Sequence, residues 1–156
     1  MTEVTLKRIT VANWQECIEL RVTDDQVGLV PGNLYSIAEA QFYPSAVPLA
    51  IQSVEGAMVG FIMYGIDVAS GKWKVFRLMI DEAHQGKDYC REAMEQVVQE
   101  LADRPDCDEI LICYRPSNHA ARELYADLGF LEQETRDGKV LARLELTKSR
   151  AERLAR

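Results

Sequence analysis

The chain has 156 residues, 47% hydrophobic and 28% charged, with a formal net charge of 18 − 25 = −7. That length suits one domain with a single core, and the acidic balance excludes a nucleic-acid surface built on basic residues. No apolar run approaches the roughly 20 residues of a membrane-spanning helix, and the opening MTEVTLKRIT lacks the apolar core of a signal peptide.

Cys17, Cys90, Cys107 and Cys113 show no CxxC spacing, and the only histidines, His84 and His119, are far apart in sequence. Neither a metal site nor a disulfide framework is expected, and a reducing cytoplasm is the natural home. The acidic surface suits cationic small molecules such as amines, although solubility alone also accounts for it.

Val4–Ile9 alternates and predicts a strand, followed by Asn13 as a cap for a helix over Trp14–Val22. Thr23 to Asn33 holds Asp24, Asp25, Gly28, Pro31 and Gly32 and reads as a loop. Leu34–Tyr43 fits a second helix, stopped by Pro44 and Pro48. Leu49–Val54, Gly56 and Met58–Ile66 predict a hairpin, and Ser70-Gly71 turns into a long strand, Lys72–Ile80. A helix follows over Gly86 to Asp103, its apolar stripe formed by Cys90, Met94, Val97, Val98 and Leu101. Glu109–Tyr114 is nearly all apolar, as for a strand buried on both faces. A helix behind Asn118, a strand from Phe130, an Asp137-Gly138 turn and a last strand, Lys139–Leu146, complete the order βααβββαβαββ. One domain is expected over residues 1–148, with a charged tail over 149–156.

Two segments carry the chemistry. In NHAARELYADLGF, residues 118–130, a helix places Asn118, Ala121 and Tyr125 on one side and stops at Gly129. Asn118 can cap that helix or bond a ligand. Tyr125 can be a core aromatic on an apolar stripe with Leu124 and Leu128, or a phenol offered to a reaction. Upstream, Gln85-Gly86-Lys87 follows a strand and opens a helix, whose N-terminus exposes unpaired N–H groups and carries the positive end of the dipole.

Taken together, these segments resemble the GNAT superfamily of N-acetyltransferases. The resemblance implies a mixed α/β (α+β) fold with a mostly antiparallel central sheet flanked by helices. It also implies acetyl-CoA as co-substrate and, since exposed strands often pair in the family, a homodimer. By resemblance, Leu78, Met79 and Ile80 would meet the pantetheine arm and the thioester carbonyl. Gln85, Gly86, Lys87, Asp88, Tyr89, Cys90 and Arg91 would surround the pyrophosphate, and Asn118 would bond the pantetheine or orient the cofactor. Two positions depart from the family pattern: Asp88 replaces a glycine, and Cys90 a glycine or alanine. A carboxylate about 5 Å from the pyrophosphate costs about 3 kcal/mol at an effective dielectric near 20, cut to about 1 kcal/mol by solvent and by Lys87 and Arg91. An aspartate in a first helical turn also complements the dipole with no ligand at all.

Acetyl transfer needs a neutral amine, a stabilised oxyanion and a protonated leaving thiolate. Tyr125, with a phenol pKa near 10, is the candidate acid for a thiol near 8.5. An N–H near Met79 and Ile80 would meet the oxyanion. A primary amine of pKa near 10.4 needs about 4.6 kcal/mol to be neutral at pH 7.

Within the superfamily the chain resembles bacterial spermine/spermidine (diamine) N-acetyltransferases, through Gln26, Asn33, Ser36-Ile37-Ala38-Glu39-Ala40, Val59-Gly60-Phe61 and Gln85-Gly86-Lys87. Asp24, Asp25 and Glu39 would then form an anionic mouth for a polycation, lined by Tyr35 and Tyr43; a solvated loop and helix face is the plainer reading. Phe76 stands where those relatives carry an acidic residue, and Arg77 follows it. Other acceptors (an aminoglycoside, an amino acid, a protein N-terminus) and a non-catalytic sensor with weakened CoA binding are the alternatives.

Overall fold

The computed structural model describes residues 4–29 and 31–147, so the expected tail over 149–156 lies outside them. The elements are β1 (Val4–Arg8), α1 (Trp14–Glu19), α2 (Asn33–Ala40), β2 (Val47–Ser53), β3 (Met58–Ile66), β4 (Trp73–Ile80), α3 (Tyr89–Ala102), β5 (Glu109–Tyr114), α4 (His119–Asp127), β6 (Leu131–Arg136) and β7 (Lys139–Glu145). This is the expected order, and the fold is mixed α/β with a seven-stranded, mostly antiparallel sheet in the order β1-β2-β3-β4-β5-β7-β6. The described residues group into two compact units, those within 1–65 with 76–94 and those within 66–75 with 95–156, and both β4 and α3 are divided between them.

In the first unit β1 pairs antiparallel with β2, from Val4↔Ser53 to Arg8↔Leu49, and β2 with β3, with a bulge between Ile51 and Gln52. Pro48 falls inside β2 rather than merely stopping a helix. It lies beyond the last β1 partner, Leu49, so its missing N–H removes no bond from that ladder. Strand β3 is buried over eight of its nine residues, as its unbroken apolar run requires. Cys17, Ala50, Phe61, Met63 and Met79 form a core closed by Leu20 of the α1 exit and by Ile37 and Ala40 of α2.

Helix α1 ends at Glu19, short of the expected Val22. Leu20 turns extended at ψ 138, and Arg21 exchanges backbone bonds with the loop after β4, donating to Asp81 Oδ1 at 2.9 Å and accepting from Glu82 N–H at 2.6 Å. Asn13 precedes the helix but does not cap it through its side chain. Its Oδ1 accepts from Thr10 N–H at 2.7 Å and its Nδ2 donates to Arg8 O at 2.9 Å, tying down the exit of β1.

In the second unit the first residues of β4 run parallel to β5, from Trp73↔Ile110 to Val75↔Ile112, while β5 and β6 each pair antiparallel with β7. A parallel step needs a crossover, supplied along the chain by α3. Ile110, Ile112, Val97, Leu101, Val140 and Ala142 are buried here. Glu109 binds Arg143 at 2.9 Å and Lys72 at 3.2 Å, and these partners hold its carboxyl below the usual carboxylate range.

Candidate active site

The end of β4 is built to hold an irregular loop in one place. Asp81 N–H donates to Val59 O at 2.8 Å, and its carboxylate accepts from Arg21 N–H and from Ala83 N–H, capping a short 3-10 turn over Glu82–His84 that the sequence reading lacked. Gln85 Nε2 donates to Ile80 O at 3.0 Å and to Gln26 Oε1 at 2.7 Å. It therefore ties the strand end to a second 3-10 turn, Asp24–Gln26, inside the segment read as a loop.

Gly86 has φ +83, a left-handed backbone that favours glycine, with open space where a side chain would stand. That φ corrects the expected helix start: α3 begins at Tyr89, three residues later, and Asp88 supplies the first carbonyl, accepting Glu92 N–H at 3.0 Å. Its first turn is formed by Tyr89, Cys90 and Arg91, whose backbone N–H groups precede the first donor of the intrahelical ladder, Glu92. Gly86, Lys87 and Asp88 are exposed, and Arg91 is half-buried. The Tyr89 side chain is buried, so only its backbone is offered to a ligand, and Lys87 Nζ lies 5.7 Å over its ring. Burial pushes the Cys90 thiol up to about 11, which keeps it protonated and inert.

Leu78 is half-buried on β4, while Met79 and Ile80 are buried. Asn33, buried at the start of α2, donates from Nδ2 to Cys17 O at 2.9 Å and to Met79 Sδ at 3.6 Å. Gly60 of β3 admits the Met79 carbonyl so closely that an added Cβ would collide with that oxygen and lie 2.7 Å from Ile80 Cδ1.

The expected acceptor residues are also on the first unit, and their partners differ from expectation. Glu39 and Tyr35 come together around Arg77, whose NH2 donates to Glu39 Oε1 at 3.1 Å and whose guanidinium stands 6.0 Å over the Tyr35 ring. Asp24 and Asp25 are exposed on the 3-10 turn, where Asp25 accepts from Thr23 Oγ1 at 2.5 Å. The sequence shows Arg77 after Phe76, but a partner 38 residues away leaves no local signal.

Asn118 and Tyr125 belong to the second unit. The Asn118 side chain performs its capping role, Oδ1 accepting from Ala121 N–H at 3.2 Å. Gly129, at φ +99, ends α4, and Phe130 N–H returns to Tyr125 O at 2.9 Å. Tyr125 is 7% exposed, with the Tyr114 ring 5.4 Å and the Phe130 ring 5.9 Å from its own. Tyr114 donates to Glu132 Oε1 at 3.0 Å, and Arg122 grips the same carboxylate with Nε at 2.6 Å and NH2 at 2.9 Å. Sequence reasoning missed Tyr114 and Glu132, because their link joins different strands.

Residues 14–130 match the acetyltransferase (GNAT) family model, and the chain belongs to that family. It is thus an acetyl-CoA-dependent N-acetyltransferase by family, with acetyl-CoA as co-substrate. Comparison with curated proteins finds no match. Among solved structures, spermidine N-acetyltransferase from Vibrio cholerae, in complex with CoA and spermine, superposes with TM-score 0.72 at 13% identity, covering 92% of this chain and 96% of that one. The ribosomal-protein-S18-alanine N-acetyltransferase from Escherichia coli gives 0.72 at 18% identity, covering 94% and 96%. A domain from Methanocaldococcus jannaschii gives 0.74 at 14%, covering 94% and 100%. At these identities the likeness is one of fold. Among the described residues no helix is long and apolar enough to cross a membrane.

Proposed function

We propose that the chain transfers the acetyl group of acetyl-CoA to the primary amine of a small acceptor, by direct attack with Tyr125 as general acid. The observation that carries this reading is the open left-handed turn at Gly86 ahead of the α3 N-terminus, in a chain of this family. Backbone N–H groups from Gly86 to Arg91 and the dipole suit a diphosphate, with Lys87 beside them and Asp88 opposing. Leu78, Met79 and Ile80 would lie along the pantetheine. The acceptor nitrogen attacks the thioester carbonyl carbon and the C–S bond breaks. Tyr125 gives its proton to the departing sulfur and recovers one from the new amide nitrogen, so no covalent enzyme intermediate is required.

The resemblance nominates spermidine and spermine as acceptors, and Asp24 and Asp25 remain as exposed anions for them. The engagement of Glu39 and Tyr35 by Arg77 favours a second reading, in which the acceptor is less cationic. Four cysteines without disulfides suit a reducing cytoplasm, and self-association as a homodimer is proposed from the family resemblance. Calorimetric titration of acetyl-CoA, followed by thiol release over an amine panel, tests the whole reading. Sub-millimolar binding with amine-dependent release is the expected result; absence of binding would leave only a scaffold of the same fold.

A further inference from the structure

Two of the residues expected to receive a polycation, Glu39 and Tyr35, already hold a cation. Arg77 on β4 binds Glu39 through NH2 at 3.1 Å, stands 6.0 Å over the Tyr35 ring, and donates from NH1 to Phe76 O at 2.8 Å. A carboxylate and an aromatic face are what a substrate ammonium would seek. The Arg77 side chain is 17% exposed, and its Nε–H is buried with no hydrogen-bond partner among the described residues. A buried donor left open is costly, and a guanidinium presents its N–H groups as a planar fork that matches a carboxylate.

Resting on the acetyl-transfer reading, we propose that Arg77 is a specificity-determining residue of the acceptor site. It fills the Glu39–Tyr35 position as an internal cation, disfavours polyamines there, and offers its unpartnered Nε–H to the carboxylate of an acceptor that carries one beside its amine. The acceptor class is therefore an amino acid, with its carboxylate on Arg77 and its amine left free to be acetylated. A polyamine would have to displace the guanidinium and strand it away from its own partner, which is unfavourable in a partly buried setting. Tyr35, whose ring the guanidinium stands over, is 59% exposed on α2.

The test compares acceptors that differ only by that carboxylate: lysine against cadaverine and ornithine against putrescine, with spermidine alongside, by thiol release from acetyl-CoA. The wild-type protein should favour the carboxylated member of each pair in kcat/KM by roughly tenfold to a hundredfold. Arg77→Gln should bring the ratio near one and raise turnover of spermidine, while Arg77→Lys, which keeps the charge without the fork, should fall between. Unchanged acetyl-CoA affinity in the variants checks that they fold, and the wild-type ratios need no variant. Wild-type preference for cadaverine, putrescine or spermidine overturns the proposal while acetyl transfer stands. Bound acetyl-CoA with no release to any amine removes both.

Discussion

Tyr114 stands with its ring 5.4 Å from that of Tyr125, tilted by 48°, while its hydroxyl is held by Glu132. The Tyr125 ring is thus backed by a phenol that is itself fixed through Glu132 to Arg122. Burial first, then the bond to Glu132 and its charge, push the Tyr114 hydroxyl up to about 12.

That shift has a sign in stability. The unfolded chain releases this proton near pH 10 and the folded chain near 12, so the contribution is complete below about pH 10 and is lost as pH rises through about 12. Tyr114→Phe should cost about 1 kcal/mol near neutrality through the lost hydrogen bond. Urea unfolding from about pH 8 to about pH 12 should show the gap between the two proteins closing. Parallel curves would contradict the assignment.

Gly60→Ala should destabilise by about 2 kcal/mol, because the added methyl meets the Met79 carbonyl and Ile80 with backbone on one side and core on the other. Acetyl-CoA binding should weaken with it, since Met79 and Ile80 are the residues proposed for the pantetheine. A denaturation midpoint indistinguishable from wild type would show that β3 and β4 have slack there.

Asp88 is exposed and its carbonyl opens α3, which places the cost of its charge toward the screened end, about 1 kcal/mol. Asp88→Gly should therefore tighten acetyl-CoA binding roughly fivefold, and Asp88→Asn should do nearly as well. The gain should shrink as salt is added. Weaker binding in Asp88→Asn would mean that the carboxylate helps rather than opposes the cofactor.

Much of this was legible in the sequence because it depends on neighbours along the chain. The order of elements follows from hydrophobic period and from turn residues. The ends of α4 follow from Asn118 and Gly129, whose cap and left-handed φ act within one helical turn. What could not be read depends on distant partners. Helix α1 stops early because Arg21 bonds to Asp81 and Glu82. The expected helix runs back to Gly86, but the left-handed backbone there forbids it and α3 starts at Tyr89. Glu39 and Tyr35 look like a cation site until Arg77 is seen to occupy it.

The phenol of Tyr125 is the one side-chain group proposed to take part in the chemistry. Turnover of wild type and Tyr125→Phe should be compared by thiol release at saturating acetyl-CoA, alongside calorimetric affinity for acetyl-CoA. Loss of a general acid predicts kcat lower by roughly a hundredfold or more, with cofactor affinity within about twofold of wild type. Equal kcat in the two proteins would make Tyr125 a packing residue among Tyr114 and Phe130 and contradict its place in the chemistry.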